Sequence, residues 1–155
     1  MKTIIIAYAS MSGNTEKMAD YIAEGIREEG YEVELKSSLR TSVKDLLKYE
    51  GILLGAYSWG GVPDEFIGLY NELAEVDLNG KKAAAFGSGD SKYRNHFGIA
   101  VNLINEKLQE RGAEVILEGL KMNLAPEGND IERCKDFGRQ FVKKLNQEKQ
   151  AEKSL

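Results

Sequence analysis

Hydrophobic positions along the chain change period several times, and each change marks the end of an element. Thr3 to Ala9, TIIIAYA, is an unbroken apolar, β-branched run, as expected of a strand covered on both faces. From Asn14 the spacing turns helical. Met18, Ile22 and Ile26 recur every four residues with Ala19 and Ala23 beside them, and Gly30 closes the helix. Tyr31 to Lys36 alternates, which suits an edge strand. Ser42 with Asp45 three residues on has capping-box spacing and predicts a short helix through Lys48. A third strand starts at Gly51, GILLGAYSW, and Pro63 opens a helix whose apolar set is Phe66, Leu69, Tyr70 and Leu73. Ala83 to Asp90, AAAFGSGD, is the fourth strand, and its small residues predict helices packed closely on the sheet. Val101, Ile104 and Leu108 mark a helix ending at Gly112, and AEVILEGLKM is the fifth strand. The last helix starts near Asn129, where Glu132 completes a second capping-box spacing. It buries Ile131, Cys134, Phe137, Phe141 and Leu145.

Five strands alternating with helices predict one α/β domain, a doubly wound parallel sheet with helices on both faces. The domain is expected over residues 1–146, with 147–155 a polar, frayed tail. In such sheets a ligand lies beyond the carboxyl ends of the strands, where strand order reverses. Three loops therefore matter: those after the first, third and fourth strands.

Charge and composition narrow what those loops hold. A net charge of −4 argues against nucleic acid, whose phosphates need clustered Lys and Arg. No apolar run approaches the roughly 18–20 residues needed to span a bilayer. The opening MKTIIIAYAS has an apolar stretch of only about six residues before a helical pattern, so it reads as a strand rather than a signal sequence, and a cytoplasmic protein is expected. Cys134 is the only cysteine, which rules out an intrachain disulfide, and His96 the only histidine, which weakens any metal reading. Cys134 falls at helical spacing with Ile131 and Phe137 and reads as packing; His96 reads as a surface group. Asp64 and Glu65 suit the positive end of their helix.

The first loop, SMSGNTE, offers hydroxyls at Ser10, Ser12 and Thr15, the amide of Asn14 and a turn glycine at Gly13. Unpaired N–H groups and the dipole at a helix start make this a phosphate seat. It contains no Lys or Arg and lacks the GK[ST] ending of a triphosphate loop, which favours a terminal monophosphate. The same residue types also suit a simple N-capped helix. In the second loop, AYSWGGVP, Ser58 and Trp59 precede Gly60 and Gly61, pairing a flat aromatic face with backbone that a ligand can approach closely; a core tryptophan is the alternative. The third loop, GSGDSKYRNHFG, adds Ser88, Gly89, Asp90 and a second flat face at Tyr93. Together the loops suit a flat ring carrying a phosphate tail.

These motifs resemble the flavodoxin family, and the resemblance runs from the first strand to the last helix. SMSGNTE is similar to the family's phosphate loop, YSWG to its second flavin loop and GSGDSKY to its third. The direct passage of the fifth strand into NLAPEGND resembles the short-chain branch. The resemblance implies a strand order of 2-1-3-4-5, which the periodicity alone does not supply. It also implies FMN, with the phosphate on Ser10, Ser12, Asn14 and Thr15 and on the backbone of Met11 and Gly13. Trp59 and Tyr93 would flank the ring, the backbone around Gly60 would face N5, and Asp90 with its neighbours would hold the pyrimidine edge. The implied role is that of a non-enzymatic, monomeric low-potential carrier, shuttling between FMN semiquinone and hydroquinone. Its donor would be a flavodoxin/ferredoxin reductase and its acceptors unspecified redox enzymes.

One departure stands out. Many relatives carry an acidic stretch such as WGDGELP after the tryptophan, where this chain reads WGGVP, shorter and without acids. A lower couple less negative than in acidic-loop relatives is expected from this. Two other functions suit the same layout. An FMN-dependent NAD(P)H:quinone oxidoreductase would consume NADPH unaided. A non-flavin receiver module would place acids and a lysine at the strand ends, where this chain has Ser, Trp and Gly.

Overall fold

The computed structural model describes residues 3–58, 60–92 and 97–154, with side chains in the last helix described through Gln147. Elements follow the order β1 (Ile4–Ala9), α1 (Asn14–Glu28), β2 (Val33–Ser37), α2 (Val43–Leu46), β3 (Gly51–Ala56), α3 (Asp64–Glu72), β4 (Lys82–Gly89), α4 (Ile99–Glu110), β5 (Glu114–Val115), β6 (Leu120–Asn123) and α5 (Asn129–Ser154). All pairings are parallel, in the order β2-β1-β3-β4-β5, with β6 also on β4.

The continuous run of β1 resolves into two alternating sets, as the two-residue period of a strand requires. Ile5, Ala7 and Ala9 face a core built with Val43 and Leu46 of α2, Phe66 and Leu69 of α3, and Ile104 and Leu108 of α4. Ile4 and Ile6 face the other core, with Met18, Ile22 and Ile26 of α1 and Cys134, Phe137 and Phe141 of α5. Ile131, expected in that core, is only half buried. Burial also pushes the Cys134 thiol up to about 12, and its Sγ lies 3.5 Å from Met122 Sδ, so packing accounts for it.

The first capping box forms: Ser42 Oγ accepts from Asp45 N–H at 3.3 Å, and Asp45 Oδ2 accepts from Ser42 N–H at 3.0 Å. The helix behind it stops at Leu46, short of Lys48. At the start of α5, Glu132 instead binds Arg139 Nη1 at 2.7 Å, while Arg139 Nε reaches Glu28 of α1 at 2.7 Å. A guanidinium bound to two carboxylates makes stronger, charge-assisted bonds than a neutral N–H at a cap.

The fifth strand departs from expectation. It is broken: β5 pairs with Lys82 and Ala83, β6 with Phe86 to Gly89, and residues Ile116 to Gly119 bridge the gap opposite Ala84 and Ala85. The insertion adds an even number of residues, so the alternation of faces survives it and Ile116 and Met122 both stay buried. Gly119 is needed there because a Cβ would meet Val101 Cγ1 at 2.5 Å.

Candidate functional site

Strand order reverses between β1 and β3: the chain leaves β1 for α1 on one face and leaves β3 for α3 on the other. The crevice at this switch point is where the three loops meet.

The cap of α1 is not built as residue types suggest. Gly13 occupies the N-cap position in a left-handed conformation, φ 91°, and provides no side-chain cap. Ser10 does the work from three residues earlier, its Oγ accepting from Gly13 N–H at 3.1 Å and from Glu16 N–H at 3.3 Å. With both acceptor positions used, the Ser10 hydroxyl proton is left to donate. The N–H groups of Ser12, Asn14 and Thr15 meet no protein acceptor among the described residues. A Cβ on Gly13 would meet nothing within 4 Å, so the loop is open at Gly13 itself. Ser12 and Met11 are exposed at the rim, Met11 by 65%. This arrangement fits an anion without a cation: several N–H donors, one hydroxyl donor and a helix start.

Thr15 is placed differently from Ser10. It is 1% exposed, and its Oγ1 lies 2.7 Å from the hydroxyl of Ser88 at the end of β4. Ser88 is buried too, and its carbonyl accepts from Ser58 N–H at 3.0 Å. Ser58 Oγ in turn accepts from Ala100 N–H, 2.9 Å away in the first turn of α4. Thr15, Ser58 and Ser88 thus form a buried polar floor that joins the three predicted loops.

Two residues on from Ser58, Gly60 and then Gly61 leave open space where a Cβ would stand, and Gly61 has φ 132°, which a side chain rarely adopts. Asp90 folds its carboxylate back on its own loop, Oδ1 accepting from Lys92 N–H at 3.1 Å. Trp59, Tyr93 and His96 lie outside the described residues.

Three supporting residues, Tyr57, Asn123 and Leu124, carried no sequence signal. Tyr57 donates its hydroxyl to Glu65 Oε2, tying the second loop to the first turn of α3. Burial and then that carboxylate push Tyr57 up to about 12, and the same hydrogen bond holds Glu65 below the ordinary carboxylate range. Asn123 Oδ1 accepts from Ser91 N–H at 2.8 Å, and Leu124 N–H donates to Gly89 O at 2.7 Å. Leu124 adopts φ 57°, the one positive-φ residue other than glycine among those described. Strain of that kind persists where surroundings over-determine the backbone, here to fix the third loop from below.

A cavity of about 750 Å³ opens away from these loops, at the break in the fifth strand. It is lined by Asn102, Asn105, Gln109, Lys121 and Arg133 among others, and none of the predicted site residues among those described lines it.

The Flavodoxin family model matches residues 6–138, the span that carries all three loops. The chain belongs to the flavodoxin family. Probable flavodoxin 2 of Bacillus subtilis is 41% identical over 147 residues, covering 93% of this chain and 97% of that protein. The flavodoxin of Maridesulfovibrio salexigens is 43% identical over 136 residues, covering 84% of this chain and 92% of that one. Among solved structures, oxidised flavodoxin 1 from Bacillus cereus superposes with a TM-score of 0.86 at 51% identity, over 90% of this chain and 97% of that one. Flavodoxins are electron-transfer flavoproteins rather than enzymes with a substrate of their own, which is the class expected from the motifs. No described helix is long and apolar enough to cross a membrane.

Proposed function

We propose that this flavodoxin carries single electrons on a noncovalently bound FMN seated at the carboxyl ends of β1, β3 and β4. The observation that carries the reading is the cation-free cradle at the start of α1, where a hydroxyl and three N–H groups without protein acceptors among the described residues gather around the open turn at Gly13. A helix start contributes roughly half a positive charge there, enough to favour a phosphomonoester without a lysine. FMN supplies the one-electron redox chemistry when bound. The chain binds, orients and shields. Ser10, Ser12, Asn14 and Thr15 take the phosphate, helped by the backbone of Met11 and Gly13. Gly60 and Gly61 line one side of the ring, Asp90 with Gly89 holds its pyrimidine edge, and Ser58 and Ser88 support the site from the buried floor beneath. Trp59 and Tyr93 flank it. The carrier works as a monomer in the cytoplasm, with residues 1–146 as its FMN-binding domain. Its donor is a reductase of the flavodoxin/ferredoxin type, and its acceptors are redox enzymes.

Titration of apoprotein with FMN is expected to quench flavin fluorescence at one FMN per chain. The loaded protein then takes up two electrons in two separated one-electron steps and consumes no NADPH unaided. Failure to bind FMN refutes the reading, and unaided NADPH consumption moves it to the quinone oxidoreductase class.

The glycine pair sets a second expectation. A Cβ on Gly60 meets nothing within 4 Å, so Gly60→Asp adds a carboxylate to this loop without a clash against the described protein atoms. A solvated carboxylate near the fully reduced flavin is unfavourable by about 0.5–1.5 kcal/mol, which lowers the second couple by roughly 20–60 mV. Potentiometry showing no fall, or a rise, would mean that carboxylates in this loop do not tune the flavin.

A further inference from the structure

Ser88 touches the phosphate loop from 73 residues away in sequence, through the 2.7 Å contact between its hydroxyl and that of Thr15. Two hydroxyls at that distance share one hydrogen and leave the other for a second partner. Both side chains are buried, 1% exposed for Thr15 and 3% for Ser88, so packing rather than bulk solvent holds their hydroxyls together. The Ser88 main chain is fixed by the β4–β6 ladder and by its bond from Ser58 N–H. Its hydroxyl is therefore held against Thr15 by rigid structure rather than by a loop.

The shared hydrogen has two possible directions. If Thr15 donates to Ser88, a lone pair of Oγ1 is left beside the anion seat and repels a phosphate. If Ser88 donates, the Thr15 proton is free for the phosphate. A phosphate accepting from the Thr15 N–H would lie close to the same residue's Oγ1, so this difference would fall on the ligand itself. We propose that Ser88 is a positioning residue for the FMN phosphate: its hydroxyl donates to Thr15 Oγ1 and thereby presents the Thr15 hydroxyl as a donor to the phosphomonoester. The inference rests on the FMN reading above. No covalent step is involved, only the direction of one hydrogen bond.

Comparison of FMN with riboflavin, the same ring without the phosphate, tests it. Ser88→Ala is expected to weaken FMN about tenfold and riboflavin less than twofold, the scale of one hydrogen bond to a charged group. Ser88→Cys, nearly the same shape with a weaker donor, should fall between wild type and Ser88→Ala. Thr15→Val should weaken FMN at least as much, and Thr15→Val with Ser88→Ala should be no worse than Thr15→Val alone, since both remove one donor. The phosphorus NMR shift of bound FMN should move in Ser88→Ala. Thermal unfolding of each apoprotein shows whether a variant has lost its fold, and Ser88→Cys decides the matter if Ser88→Ala has. Equal weakening of FMN and riboflavin, strict additivity of the two substitutions, or unchanged FMN affinity each overturn the inference while leaving FMN binding intact. Wild-type protein that binds neither flavin overturns the FMN reading, and the inference with it.

Discussion

Alanine at Gly25 or Gly138 is expected to destabilise the fold by about 1–3 kcal/mol, the range for overpacking, although alanine is the better helix former by about 1 kcal/mol. Gly25 lies in α1 and Gly138 in α5, and each faces the backbone of the other helix. A Cβ on Gly25 would stand 2.0 Å from the carbonyl oxygen of Lys135, and one on Gly138 would stand 2.2 Å from that of Ile22. Neither obstacle is a flexible side chain, so the helices themselves must part. Parting them loosens the core of Met18, Ile22, Phe137 and Phe141 beneath. Once one Cβ has separated the helices the second meets less resistance, so the double variant should lose less than the two losses added together. Gly68 in α3 is the control. A Cβ there meets nothing within 4 Å, so Gly68→Ala should stabilise by up to about 1 kcal/mol. Urea unfolding of the apoproteins measures all four. Stabilisation by Gly25→Ala or Gly138→Ala would mean that the two helices are not in backbone contact.

These two glycines show where sequence reading stops. The periodicity of α1 and α5 identifies their buried faces, because Met18, Ile22, Ile26, Cys134, Phe137 and Phe141 obey a local rule. How closely two helices approach is set by residues far apart in sequence, and no local period encodes it. The same division runs through the sheet. The strands announce themselves by runs and alternation, whereas the break at Ile116–Gly119 is silent because an even insertion leaves the alternation intact.

The candidate site divides in the same way. SMSGNTE is legible as an anion seat from residue types, but the division of labour within it is not. Any of three hydroxyls satisfies the type preference for a cap, and only the folded backbone assigns the task to Ser10 while turning Thr15 toward Ser88. Tyr57, Asn123 and Leu124 were invisible for a related reason. Their roles depend on contacts with Glu65, Ser91 and Gly89, and of these only Tyr57 and Glu65 lie close in sequence. What the motifs supply is the chemistry offered to a ligand. What the fold adds is the set of struts that hold that chemistry still.

Ser10 is the residue on which both layers converge, and Ser10→Ala is expected to weaken FMN about a hundredfold. Its hydroxyl proton is free to donate to an anion, and a hydrogen bond to a charged group contributes about 1.5–3 kcal/mol. Its oxygen also accepts from Gly13 N–H and Glu16 N–H, which holds the loop in the shape that exposes the other donors. Loss of the oxygen therefore removes one donor and relaxes the aim of three more. The apoprotein should lose only about 0.5–2 kcal/mol, the usual range for a helix cap. Ser12→Ala gives the contrast, since Ser12 is exposed and holds no part of the loop. Its hydroxyl is replaceable by water, and a loss of less than tenfold is expected there, within the net worth of one neutral hydrogen bond, about 0.5–1.5 kcal/mol. Fluorescence titration with FMN reads both variants, and titration with riboflavin separates the phosphate from the ring. An affinity for FMN within threefold of wild type in Ser10→Ala would show that the loop keeps its shape without this oxygen and that the phosphate does not use it. A hundredfold loss shared equally by riboflavin would place the role of Ser10 in the fold of the crevice as a whole. Only a loss concentrated in FMN agrees with a hydroxyl that both shapes the cradle and donates to the phosphate within it.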